Sequence, residues 1–306
     1  MKHILLPPIP PLILLIGLGL GLVQSLAACS KGPEGGAGNP AVAENATQPG
    51  ARALPPTVNT ATAATGHLPE GSVRLQRVQI MDRQGFDKPM VATTVLVPVG
   101  WQTQGGVVWG HQPQCSSSGY TMDFQAYSRD GLFGVHVFPG EQWQWSNQAG
   151  TPSTAGCPTL QITSIRQYLE AMTARARPGA QILDFRARPD IAQPLKQLEQ
   201  YTPMPLGDMR TWVEAAEVLI GYQHEGRAMR ETVAAAAVFS LMRMQGMAGM
   251  PSSEFLTGVT LPGFAMRAPD GELDFRLAEL IRRSGQPNPQ WQARIAQHNK
   301  QEKKKK

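Results

Sequence analysis

The chain has 306 residues, long enough for one sizeable core or two small ones, and its 28 Lys and Arg against 23 Asp and Glu leave a net charge of +5. Much of that excess lies in a terminal run, Lys300 and Lys303 to Lys306, and basic residues nowhere gather with aromatics, which argues against nucleic-acid binding. No phosphate loop, dinucleotide fingerprint, Gly-x-Ser-x-Gly or Ser-x-x-Lys occurs, so neither an enzyme class nor a cofactor is signalled.

Lys2 and His3 form a short, weakly basic start ahead of an apolar run over 4–23. Pro7, Pro8, Pro10 and Pro11 crowd its front and glycines at 17, 19 and 21 loosen its back, which suits a signal peptide better than a membrane-spanning helix. The run ends in Leu26-Ala27-Ala28-Cys29, which resembles the lipobox read by the lipoprotein signal peptidase: aliphatic, small, small, cysteine. That resemblance implies a signal peptide over 1–28, a diacylglyceryl group on the Cys29 thiol and further palmitate-type acylation of the new N-terminus. At about 0.8 kcal/mol per buried methylene, even two chains anchor stably. Ser30 and Lys31 follow with no aspartate, which favours the periplasmic face of an outer membrane. The competing reading is an ordinary secretory cleavage site that happens to precede a cysteine; either way the protein is exported.

Residues 29–69 are rich in Gly, Ala, Pro, Asn and Thr and read as a disordered tether, with an r.m.s. reach of roughly 30–40 Å. Residues 70–286 then read as a single domain. Cys115 and Cys157, an even pair in an oxidising compartment, read as a disulfide closing a loop of about 42 residues, a contribution of about 3–4 kcal/mol. The rival reading makes Cys115 a nucleophile, with His111 before it and Ser116 to Ser118 after it, although no orienting third group is visible.

In chain order, alternation predicts strands over 72–81 and 90–97 joined by a turn at Gly85, then strands over 106–109, 120–128 and 132–138, the last two linked by Arg129-Asp130-Gly131. Ile165, Tyr168, Leu169 and Met172 fall at helical spacing behind Thr163 or Ser164 as cap. A strand over 182–187 and a short helix over 191–200 follow. Two long strand-like runs, 209–223 and 229–242, flank His224-Glu225-Gly226-Arg227, although their alanines keep helix in contention. A strand over 263–267 and a helix over 273–283 close the domain. Residues 287–306 read as a helix capped by Asn288, with Trp291 and Ile295 on one side, whose Gln-, His- and Lys-rich remainder projects and frays as a basic tail, docking on a partner being the alternative. The pattern predicts an α+β fold, a curved antiparallel sheet with packed helices.

The order of elements, and the turn Val97-Pro98-Val99-Gly100-Trp101 after an early strand, resemble the PsbP/Mog1/DcrB-like α/β/α sandwich domains. Met81-Asp82-Arg83-Gln84-Gly85-Phe86, the stretch Phe264 to Pro269 and Asn288 to Gln292 also look like a set of uncharacterised proteobacterial lipoproteins. The resemblance implies a binding or scaffolding domain, not an enzyme, and carries no catalytic residues with it.

Among individual side chains, Trp101, Trp109, Trp143 and Trp145 cluster around two turns, and the last two share a strand face. Exposed, they would grip a partner protein or cell-wall sugar; buried, they would cap the core. Met242, Met244, Met247 and Met250 form a weak candidate for holding Cu(I), with a flexible loop plug as the alternative. His111, His136 and His224 lack ligand spacing. The functional expectation is a non-enzymatic envelope lipoprotein that binds an envelope protein or cell-wall partner. Behind it stand a binder of a small ligand or copper and, last, a hydrolase.

Overall fold

The computed structural model describes residues 72–110, 119–148, 157–246 and 251–305. The expected signal peptide, Cys29 and the tether lie outside them, as do His111, Cys115, Met247 and Met250.

In chain order the strands and helices are β1 (Leu75–Asp82), β2 (Met90–Pro98), β3 (Gln102–Trp109), β4 (Tyr120–Tyr127), β5 (Gly134–Phe138), β6 (Gln142–Ser146) and α1 (Ile165–Ala176). There follow β7 (Gln181–Ala187), α2 (Pro189–Ala192), a 3₁₀ turn (Gln193–Leu198), β8 (Gln200–Met204), β9 (Gly207–His224) and β10 (Arg227–Met244). The chain closes with β11 (Ser253–Thr260), β12 (Gly263–Pro269), α3 (Phe275–Arg283), β13 (Gln286–Pro287) and α4 (Pro289–Lys305). Met242 and Met244 belong to β10 and not to a loop, and β8 and β11 are strands that the periodicity did not single out.

The β9–β10 hairpin is the spine. Glu225 and Gly226 both have positive φ, +50° and +78°, the two-residue turn whose twist matches that of paired strands. Both faces of this hairpin are covered, so its alanines serve close approach and not helix formation: Val233, Ala235, Ala237 and Phe239 meet Ile165, Tyr168 and Leu169 of α1, while Ala236 and Val238 meet Ile191 and Leu195 on the other side. Each long strand is shared between two shorter neighbours. β10 pairs β12 over its first half and β11 over its second, and β9 pairs β7 and β8 in the same manner.

Among the described residues thirteen strands join in one sheet, in the order β13-β2-β1-β3-β4-β5-β12-β10-β11-β6, with β9 branching from β10 and pairing in turn with β7 and β8. This overturns the expected curved antiparallel sheet of an α/β/α sandwich. The fold is α+β, but the sheet is open, mixed in order and not strongly curled, and β1 meets β3 in parallel at Asp82 and Val107. Two glycines permit that juncture. Gly105 takes a φ of +91° against the Asp123 carbonyl, and a Cβ on Gly106 would lie 2.5 Å from the Met81 carbonyl oxygen. Alternation specifies which face of a strand is buried, not which strand lies beside it.

Ala278 and Ile281 of α3 pack on Val95, Val97, Phe124 and Met266, whereas Trp291 and Ile295 of α4 pack on Ala92 and Val107, so α3 and α4 cover opposite faces of β2. The first turns of the C-terminal helix are therefore docked on the sheet. Its indole is buried because Trp291 and Ile295 are one turn apart and make a single apolar stripe.

Candidate functional site

Helix α1 is held at both ends by the sheet. Ser164 caps it by accepting from the Gln167 amide, and the Gln167 side chain accepts from the Thr163 amide in return. Glu214 of β9 accepts the Ile165 amide with one carboxylate oxygen and the Trp212 indole with the other, placing negative charge at the positive end of the helix dipole. At the far end, Arg175 and Arg177 project from the last turn toward the sheet. Arg177 reaches Glu231 through Nε at 2.8 Å and Nη2 at 3.1 Å, and Arg175 reaches both oxygens of Glu141 at 2.7 and 3.0 Å.

Between this end of α1 and strands β5, β10 and β12 lies a cleft of about 340 Å³. Its floor is apolar, built from Phe138, Ile220, Val233 and Ala265, because these positions share the buried parity of their strands. Its walls are polar: His136, whose Nε2 lies 2.9 Å from an Asp123 carboxylate oxygen, and the two Arg–Glu pairs. Glu231 is 4 % exposed. Burial works against charge on the Arg177 guanidinium, but the Glu231 carboxylate outweighs it and raises the Arg177 pKa.

One hydroxyl of a cleft-lining residue stands unpaired. Thr173 lines the cleft, is 3 % exposed and leaves its Oγ1 without a hydrogen-bond partner. The buried hydroxyls of Tyr168 and Tyr222 are likewise unpartnered. Burial, reinforced by the charges of Glu141 and Glu231 respectively, pushes both phenols up, although neither hydroxyl attains hydrogen-bond geometry with those carboxylates. A buried unsatisfied hydroxyl costs about 1–3 kcal/mol, and native folds keep few of them.

A second cleft, about 410 Å³, opens on the opposite face between α2, α3 and β9, and it is chemically different. Arg188 bridges Glu217, Asp190 and Glu279, and Arg282 and Arg283 close on Glu279 in turn. Burial of Glu279 is outweighed by these arginines, which pull its carboxyl down to about 2, and Arg188 lowers Asp190 as well. Each carboxylate there has its arginine. The arrangement is a clamp that ties α2 and α3 to the sheet.

The chain matches no family model, no curated protein and no solved structure.

The residues singled out from sequence lie elsewhere. Trp143 is 1 % exposed: its indole N–H donates to the Ile162 carbonyl at 2.9 Å and its ring stacks on Tyr168 at 5.5 Å, so burial removes it from the expected partner surface. Trp109 donates to Asp82 at 3.0 Å, Trp101 packs on the core beneath α3, and Trp145 is half-buried on β6 opposite Leu256. Cys157 is buried and disulfide-bonded, its partner lying outside the described residues. Among the described residues no three His, Cys, Asp or Glu side chains gather where they could hold a metal. Sequence reasoning missed Thr173, Arg175 and Arg177, although a signal was present. Thr173 continues the apolar stripe of Ile165 and Leu169 at a spacing of four, a polar group on a buried face.

Proposed function

We propose that the protein is a lipid-anchored ligand-binding protein of the cell envelope, which takes a small molecule into the cleft beside α1. The lipobox-like Leu26-Ala27-Ala28-Cys29 and the Gly/Ala/Pro-rich segment behind it support the anchor and tether, with the domain standing off the periplasmic face of an outer membrane. One observation carries the binding role: a cleft with an apolar floor, of a size that suits a small ligand, is walled by two Arg–Glu pairs and lined by Thr173, whose buried hydroxyl has no partner. A ligand with an apolar body and polar groups would satisfy it once the Thr173 side chain turns its hydroxyl toward the cleft. The tryptophans expected to form a partner surface do not carry this reading, since Trp143 belongs to the core and the Trp109 indole N–H is committed to Asp82.

The test is a thermal-shift screen of the full-length, detergent-solubilised protein against classes of small molecule, beside a Thr173→Val variant of nearly equal shape. A true ligand at about 100 times its Kd stabilises by about 2.7 kcal/mol, which for a chain of this size is a rise of roughly 5–10 °C. That rise should shrink in Thr173→Val. If no class shifts the wild type, or every shift survives the variant, the cleft is not a binding site.

A further inference from the structure

Resting on that reading, we infer that the ligand is a small zwitterion with an apolar body, an amino acid or short peptide, held head and tail by Arg175 and Glu141. The two Arg–Glu pairs at the cleft differ in a way that bears on this. Arg177 and Glu231 have side chains 27 % and 6 % exposed and form a closed, doubly hydrogen-bonded pair that belongs to the fold. Arg175 and Glu141 are 57 % and 36 % exposed, and a pair so placed contributes little to stability, so it can exchange partners.

The chemistry of that exchange selects the ligand. An anion bound to Arg175 would displace Glu141 and then face its charge, and a cation bound to Glu141 would do the same to Arg175. A molecule carrying both charges replaces each partner with one of the same sign, leaving no charge uncompensated. Its body would lie on Phe138, Val233 and Ala265, while its amide or carboxylate oxygens would meet the Thr173 hydroxyl once that side chain turns toward the cleft. Wholly apolar ligands would leave that hydroxyl as it stands. The cleft volume, near the lower end for small-molecule sites, fits one or two residues.

Calorimetric titration of the full-length protein with leucyl-leucine, its N-acetyl form, its C-terminal amide, free leucine and octanoate tests the inference. Leucyl-leucine or leucine should bind, and blocking either end of the dipeptide should weaken it at least tenfold. Arg175→Gln and Glu141→Gln should each weaken it about tenfold while leaving the unliganded melting temperature within a degree or two, since both side chains are substantially exposed. If octanoate or the blocked peptides bind as well as the zwitterion and Thr173→Val weakens them, the cleft is a binding site but the zwitterion inference fails. Zwitterion binding indifferent to both charge variants, or binding by none of the probes, also overturns it; in the last case the wider screen decides whether the cleft binds anything.

Discussion

The indole Nε1 of Trp291 donates to Oδ2 of Asp82 at 2.8 Å, joining residues 209 positions apart. Oδ1 of the same carboxylate accepts from Trp109 on β3 and from the Gln84 and Gly85 amides of the β1–β2 turn. One buried side chain thus fastens a turn, a parallel strand juncture and the C-terminal helix. Trp291→Phe keeps most of the buried ring but leaves Oδ2 unpaired, so it should destabilise the protein by about 1–3 kcal/mol. Trp291→Ala should cost about 3–5 kcal/mol. Urea denaturation of both variants checks the order, and equal, negligible effects would mean that α4 is not docked.

Glu231 and Arg177 form the buried pair at the base of α1. Glu231→Gln or Arg177→Met leaves the remaining charge without its partner and should cost about 3–5 kcal/mol. Changing both at once to residues of similar shape should cost less than the sum of the two, a coupling that a double-mutant cycle reads directly.

Acid should loosen the α2–α3 clamp. The Glu279 carboxyl, held at about 2 in the folded protein, has an ordinary value of 4.5 when unfolded. Its contribution is therefore fully present above about 4.5 and is lost as pH falls from there through 2, because the unfolded chain takes up the proton first. Asp190, lowered in the same sense, adds to the slope. Stability measured between pH 6 and 2 should fall less steeply in Glu279→Gln than in the wild type, and salt should flatten part of the difference, since the side chain is 31 % exposed.

Gly258 of β11 lies under the Trp143 ring, where an added Cβ would fall 2.2 Å from the indole. Gly258→Ala should displace the indole from its stack on Tyr168, at a cost of about 1–3 kcal/mol. Near-ultraviolet circular dichroism should lose the signal of that pair. An unchanged spectrum would show that the indole has room the structure does not give it.

Cys157 is expected to be joined to Cys115, and Cys29 to carry lipid. Peptide mapping without reductant should recover a Cys115–Cys157 linked peptide, and Cys115→Ser should lower stability by about 3–4 kcal/mol. Cys29→Ser should abolish incorporation of labelled palmitate and leave the chain unanchored. A linked peptide containing Cys29 would refute both assignments at once.

Much of the local structure was legible in the residues alone because it depends on neighbours in sequence. Positions of two-residue alternation mark β1 and β2, Ser164 and the spacing from Ile165 to Met172 mark α1, and Glu225-Gly226 marks the hairpin between β9 and β10. The alanines of β9 and β10, which left helix in contention, are understood only once helices are seen on both faces: small side chains there admit close packing. Strands β8 and β11 were missed because Pro203 in the one and Gly258 in the other interrupt the pattern.

What the sequence by itself determined is therefore the type of most elements, written in short-range periodicity. The tertiary structure alone decided the strand order, the parallel meeting of β1 and β3, the docking of α4 on Asp82, and the cleft where Thr173, Arg175 and Glu141 come together. The physical reason is the same throughout. Apolar alternation states that a face must be buried, and any complementary face satisfies it, so partners are chosen by packing and by the pairing of buried polar groups between residues far apart in the chain.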